Sequence, residues 1–208
     1  MTALTDLTAI LAAFFLVTVA PGPANLAVAT VAMRAGRRNG LLFGTGLAAG
    51  LAIWGLVAAT GLGALLQGSA TALTALKLAG GAYLVWLAWQ SGRSAFSPDA
   101  IPAPEPGKGR WIARGLILNL SNPKAVVAWM AALSMGLGTG DTGTHLILPT
   151  LLCAAIGALN YTGYALAFSL PGIMAGYQRL RRTIDAAAAA LFAAAGAGLI
   201  RSAFTRSS

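Results

Sequence analysis

The chain has 208 residues, of which 57% are hydrophobic and 9% charged, and its mean hydropathy is +0.74. A soluble domain carries roughly 25% charged residues, so this composition excludes an ordinary soluble fold and indicates a polytopic membrane protein. The net charge is +9, but the cations cluster between apolar runs, where topology-setting residues belong, and that placement argues against a nucleic-acid partner.

A spanning helix needs about 20 apolar residues, and six stretches qualify. The first is Leu7 to Met33, with no charge between Asp6 and Arg34. No basic region precedes it, so it is expected to remain as a span and not to be cleaved as a signal peptide. Its middle reads 19-VAPGPANLA-27, which places Pro21, Gly22 and Pro23 inside a membrane-length segment. Proline lacks an N–H and clashes with the carbonyl four residues back. Pro21 therefore frees the carbonyl of Val17, and Pro23 that of Val19. Unpaired backbone costs several kcal/mol in hydrocarbon and survives only within protein or beside a wet cavity. Pro23 then opens a second half-helix carrying Asn25.

The second stretch, Leu41 to Leu66, is uncharged, and its Gly44, Gly46 and Gly50 permit close helix packing. The third, Ser69 to Ser91, contains Lys77, which is near enough to a helix end to snorkel. The segment 93-RSAFSPDAIPAPEPGKGR-110 reads as a flexible polar linker. The fourth stretch, Trp111 to Met135, repeats the interruption as 119-NLSNPKAVVAWM-130. Pro123 frees the carbonyl of Asn119, and Ser121-Asn122-Pro123 reads as a capped helix start.

Lys124 follows that start, where the half-helix dipole opposes it. Burying a lysine at mid-membrane costs ~2.5–3.5 kcal/mol on insertion scales. The five acids, Asp6, Asp99, Glu105, Asp141 and Asp185, are all expected in loops or near helix ends. Lys124 then pairs with a substrate carboxylate, sheds its proton, or snorkels.

The fifth stretch, Leu146 to Leu170, carries Asn160, Tyr161 and Tyr164. Asn160 and Tyr164 share a helix face and would complete a polar pocket or serve as interhelical glue. Cys153 in this stretch is the only cysteine and is read as a small buried residue. The sixth, Thr183 to Ile200, is short and alanine-rich; an interfacial helix is its alternative reading. Trp86, Trp89 and Trp111 lie near span ends, as an interfacial belt would.

Basic residues mark alternate connections: Arg34, Arg37 and Arg38; Arg93, Lys108, Arg110 and Arg114; Arg179, Arg181 and Arg182. Connections two and four, around Gln67-Gly68 and Asp141, have none. The positive-inside rule puts the basic connections in the cytoplasm and both termini outside. Arg201 and Arg206 run against this. The expected fold is one all-α integral membrane domain over 1–208, with six transmembrane helices as two inverted three-helix repeats. Repeat one covers about 5–92, the linker 93–110, and repeat two about 111–203. Helices 1 and 4 are both broken by proline, and matching interruptions point to a midplane binding site.

Three separated motifs give this chain a family likeness. They are PGPANLAVATVAMRAGRRNGLLFGTGLAAG at 21–50, LKLAGGAYLVWLAWQSGR at 76–93 and GLILNLSNPKAVVAW at 115–129. The second holds Lys77, Gly80, Tyr83 and Leu84 in a Lys-x-x-Gly-x-x-Tyr-Leu pattern. In order and spacing the chain resembles the LysE-type translocators, which include lysine exporters and the RhtB-type homoserine and threonine exporters. The resemblance implies a six-helix inner-membrane exporter of amino acids or close derivatives, coupled to the proton gradient. It also implies one departure: the family often has an aspartate where this chain, in 157-GALNYTGYAL-166, has Asn160. Asparagine carries no exchangeable charge, which favours a neutral substrate over a lysine-like one.

The expected substrate site joins Pro21, Gly22, Pro23 and Asn25 of one half to Asn119, Asn122, Pro123 and Lys124 of the other, with Lys77, Asn160 and Tyr164 as further candidates. The expected partners are an amino acid, the lipid bilayer and protons, with a homodimer permitted by small residues in the sixth span. No enzymatic activity, cofactor or metal is expected. The lone Cys153 and His145 argue against a redox module or metal site. The alternatives are an exporter of another small solute and a passive facilitator.

Overall fold

The computed structural model describes residues 3–66, 70–96, 109–135 and 146–205. Gln67, Gly68, most of the linker with Asp99, Glu105 and Lys108, and the stretch around Asp141 and His145 lie outside the described residues. Among the described residues the chain forms eight helices: α1 (Ala3–Val19), α2 (Pro23–Ala35), α3 (Arg37–Leu66), α4 (Ala70–Phe96), α5 (Trp111–Leu120), α6 (Pro123–Met135), α7 (Ile147–Ala167) and α8 (Ile173–Thr205).

The two proline breaks fall where the sequence puts them. α1 and α2 meet at 53° and α5 and α6 at 60°. α3, α7 and α8 are each long and apolar enough to cross a membrane, and the count becomes five if each bent pair is one span. α4, at 27 residues, is not in that set.

The sixth segment is longer than expected. α8 has 33 residues and begins ten residues before Thr183. Nothing between Ile173 and Thr183 breaks a helix, so Arg179, Arg181 and Arg182 extend α8 and do not form a loop. This also overturns the expectation that the acids fall in loops or near helix ends. Asp185 lies well inside α8, within the apolar stretch Ala175–Arg201, and is buried. The first basic connection is equally tight: Gly36, at φ +88°, is the single residue between α2 and α3. That left-handed conformation suits glycine.

α3 is the central element, packing against α2, α5, α6 and α7, while α4 pairs with α8. The closest approach is α3 to α5. A Cβ on Gly46 would collide with the Ile112 carbonyl, and one on Gly115 with that of Phe43. α4 and α8 meet similarly at Gly81 and Gly196. The span-two glycines thus serve packing, as the sequence suggests. The Phe14 and Trp129 rings meet at a tilt of 50°, with centroids 4.5 Å apart, in the core beside Leu47, Leu133 and Phe192. Leu56, Leu148, Leu151 and Leu159 are all exposed, an outward apolar surface of the kind that meets lipid.

Candidate functional site

The end of α1 is where the first break leaves its carbonyls, and four side chains converge on it. Asn25, two residues into α2, turns its amide back on the helix it follows. Its Nδ2 donates to the carbonyls of Thr18 at 2.8 Å and Ala20 at 3.0 Å, with Val19 at 3.5 Å. Tyr164 of α7 donates its hydroxyl to Val19 O at 3.1 Å. Asn160, one turn earlier on the same face, donates to Asn25 Oδ1 at 2.9 Å and fixes that amide. The two α7 residues therefore act together, as their spacing suggests.

Lys124 closes the site from the other half. Its Nζ donates to Ala20 O at 2.8 Å and lies 5.9 Å from the Phe192 ring centroid. The sequence puts this ammonium at the positive start of α6; the fold carries it to the negative end of α1. A cation is favoured at a helix C-terminus, so the facing half-helix offsets the repulsion from its own. Gly22 makes room: a Cβ there would stand 3.0 Å from Nζ and 3.3 Å from Cδ. Its backbone is extended, at φ −168°, so space is what requires glycine here.

The second break is satisfied differently. Asn122 caps α6, its Oδ1 accepting the Lys124 backbone N–H at 3.1 Å. The Asn119 carbonyl freed by Pro123 accepts the Asn122 N–H at 3.0 Å, and Leu120 O accepts Trp54 Nε1 at 3.2 Å. Fully buried Asn119 points toward α3 and α7, where its Nδ2 donates to Leu47 O and, at 3.1 Å, to the Tyr161 hydroxyl. Its Oδ1 is buried with no hydrogen-bond partner.

A cavity of about 20 Å³ lies between the two breaks. Its walls include Thr18, Gly22 and Asn25 from the first and Asn122, Lys124 and Ala125 from the second, closed by Leu51 and Tyr161. That is room for about one water and not for an amino acid. α2 starts at this cavity with Gly22 as its N-cap and no side chain capping it. Pro21, Pro23 and Pro123 shape the breaks, while Asn160 and Tyr164 act through Asn25 and the α1 carbonyls. Lys77 is not among the cavity-lining residues. It is buried in α4, which packs on α6 and α8, and does not snorkel out.

Sequence reasoning missed Thr18, Tyr161 and Phe192. The proline rule flags the carbonyls of Val17 and Val19 and passes over that of Thr18 between them. Tyr161 and Phe192 carry no local signal, because only packing brings them here.

The sequence pattern of the LysE type translocator family matches residues 15–203. The threonine efflux protein of Escherichia coli K12 is 33% identical over 187 residues, covering 86% of this chain and 90% of that one. The homoserine/homoserine lactone efflux protein of Salmonella typhimurium is 36% identical over 119 residues, 57% of each chain. The chemotactic transduction protein ChpE of Pseudomonas aeruginosa is 40% identical over 119 residues, 56% of this chain and 58% of its own. No solved structure matches. The chain is a membrane translocator and not an enzyme, and it belongs to the LysE type translocator family.

Proposed function

We propose that this protein exports a small neutral amino acid, of the threonine or homoserine type, across the bacterial inner membrane by alternating access. The observation that carries the reading is the Lys124 ammonium, which crosses from the second break to the carbonyl end of the first, beside a cavity walled by both. A zwitterion suits that arrangement. Its carboxylate would take Lys124 and the uncapped start of α2. Its ammonium would take the place of Nζ at the α1 carbonyls. Among the described residues no acidic side chain lines the cavity, so a lysine-like side chain would find no counter-charge from them there. Thr18, Tyr161 and the amides suit a hydroxyl. The threonine and homoserine exporters among the relatives agree with this.

In this reading 5–92 and 111–203 are inverted three-helix repeats, α4 counts as a span, and both termini face outward. The packing supports it where exchanging the halves maps contacts onto one another, although α2–α3 and α4–α6 have no counterpart of similar extent. α3–α7 and α4–α8 map onto themselves, α3–α5 onto α7–α1, and α3–α6 onto α7–α2. Rocking one half against the other would enlarge the small cavity toward one side at a time.

Efflux from proteoliposomes loaded with the twenty amino acids plus homoserine, with and without an imposed pH gradient, tests the reading. The expected result is selective, saturable loss of threonine-like substrates. Loss no greater than from protein-free vesicles, or preference for lysine and arginine, would refute it.

A further inference from the structure

The carrier site holds no carboxylate, yet a buried one sits elsewhere in the fold. Asp185 on α8 is 4% exposed. Ser94 of α4 donates its hydroxyl to Oδ2 at 2.8 Å. Arg181, one turn earlier on α8, stands 3.5 Å from the same oxygen and also donates from Nη2 to Ser94 Oγ at 3.0 Å. Tyr177 of α8 and Tyr164 of α7 lie within electrostatic range. On α4, Arg93 stacks on Trp89 at 4.9 Å. α1, which also touches α8, carries Asp6 in its first turn.

We propose that Asp185 is the proton-carrying carboxylate of this transporter, held between α4 and α8 by Ser94 and Arg181. The inference rests on the exporter reading above. Three features support it. First, the guanidinium contact is longer than the ~2.7–2.9 Å of a tight charge-assisted pair, and the closest donor to the carboxylate is the neutral Ser94 hydroxyl. Second, both protonation states are satisfied. A serine hydroxyl donates to a carboxylate and accepts from a carboxylic acid, and Arg181 keeps Ser94 as a partner when Asp185 is neutral. Third, the site is linked to the substrate cavity. Asp185 and Phe192 lie two turns apart on the same buried face of α8, about 10 Å along its axis, and Phe192 meets the Lys124 ammonium. The balance is simple: the carboxylate takes one proton from the aqueous phase on one side and releases it to the other. Loading removes the charge beside Arg181 on α8 and leaves Ser94 of α4 as the contact across the joint between the third helices of the two halves.

The test uses purified full-length protein in proteoliposomes, with threonine as the probe and an entrapped pH indicator. Two rates are read: threonine–threonine exchange without a gradient, and net efflux driven by a pH gradient. In Asp185→Asn, exchange should persist while the driven rate falls at least tenfold to the undriven level and threonine-linked proton flux disappears. Asp185→Glu should restore both. A wild-type gradient response in Asp185→Asn overturns the proposal. If Asp185→Asn loses exchange as well, Ser94→Ala decides: its driven efflux should show a displaced pH midpoint, and a wild-type midpoint overturns the proposal. Wild-type protein that exchanges threonine but moves no protons also overturns it. Absence of exchange in the wild type would instead refute the exporter reading.

Discussion

Replacing Lys124 with glutamine separates the ammonium charge from the packing around it. The structure allows the cost to folding to be worked out. Removing the partly buried ammonium relieves at most ~2.5–3.5 kcal/mol on insertion scales. Its hydrogen bond to Ala20 O, charged on the donor side, contributes ~1.5–3 kcal/mol. Ala20 O keeps the Asn25 amide at 3.0 Å, so no carbonyl is orphaned. These terms nearly cancel, leaving a stability change within about 1 kcal/mol. Substrate binding has no such compensation. Losing a charged contact to the carboxylate weakens it by ~1.5–3 kcal/mol, roughly 10- to 150-fold at 1.4 kcal/mol per factor of ten. The assay pairs the half-saturation of threonine efflux with the melting temperature in detergent. Efflux with wild-type half-saturation would refute the carboxylate role. A protein that no longer folds would refute the balance and make Lys124 structural.

Three further substitutions probe the same end of α1. Gly22→Ala fits the extended backbone but places a Cβ 3.0 Å from Lys124 Nζ; displacing that contact should cut efflux about fivefold, for ~1 kcal/mol lost, and unchanged efflux would show that the ammonium does not need this position. Asn25→Ala leaves Thr18 O without its amide and Asn160 without its acceptor, so unfolding in detergent should show a loss of ~1–3 kcal/mol; a wild-type unfolding curve would show that these hydrogen bonds carry no stability. Asn160→Asp introduces a carboxylate into α7 but removes the donor to Asn25 Oδ1. An ionised carboxylate only accepts hydrogen bonds, so the melting temperature and efflux should both fall; a variant as stable and active as the wild type would contradict the role given to that amide.

The breaks, their caps and the membrane character were legible in the sequence because each is a local matter. Proline has no N–H wherever it stands, and Asn122 caps α6 because it immediately precedes Pro123. The glycines of α3 were read as packing residues for the same reason. Legibility ended where no local rule applied. No breaker separates Arg179 from Thr183, yet the basic cluster passed for a loop, which shortened α8 and set Asp185 near an end. Lys124 shows the limit most clearly. Sequence alone puts its charge at the wrong end of its own half-helix. The carbonyl that accepts it is 104 residues away in the chain, and the tyrosine sharing that helix end is 145 residues from its acceptor. The chain's covalent chemistry determined where backbone groups would lose their partners; only the tertiary packing, which brings distant helices together, decided which side chains would replace them.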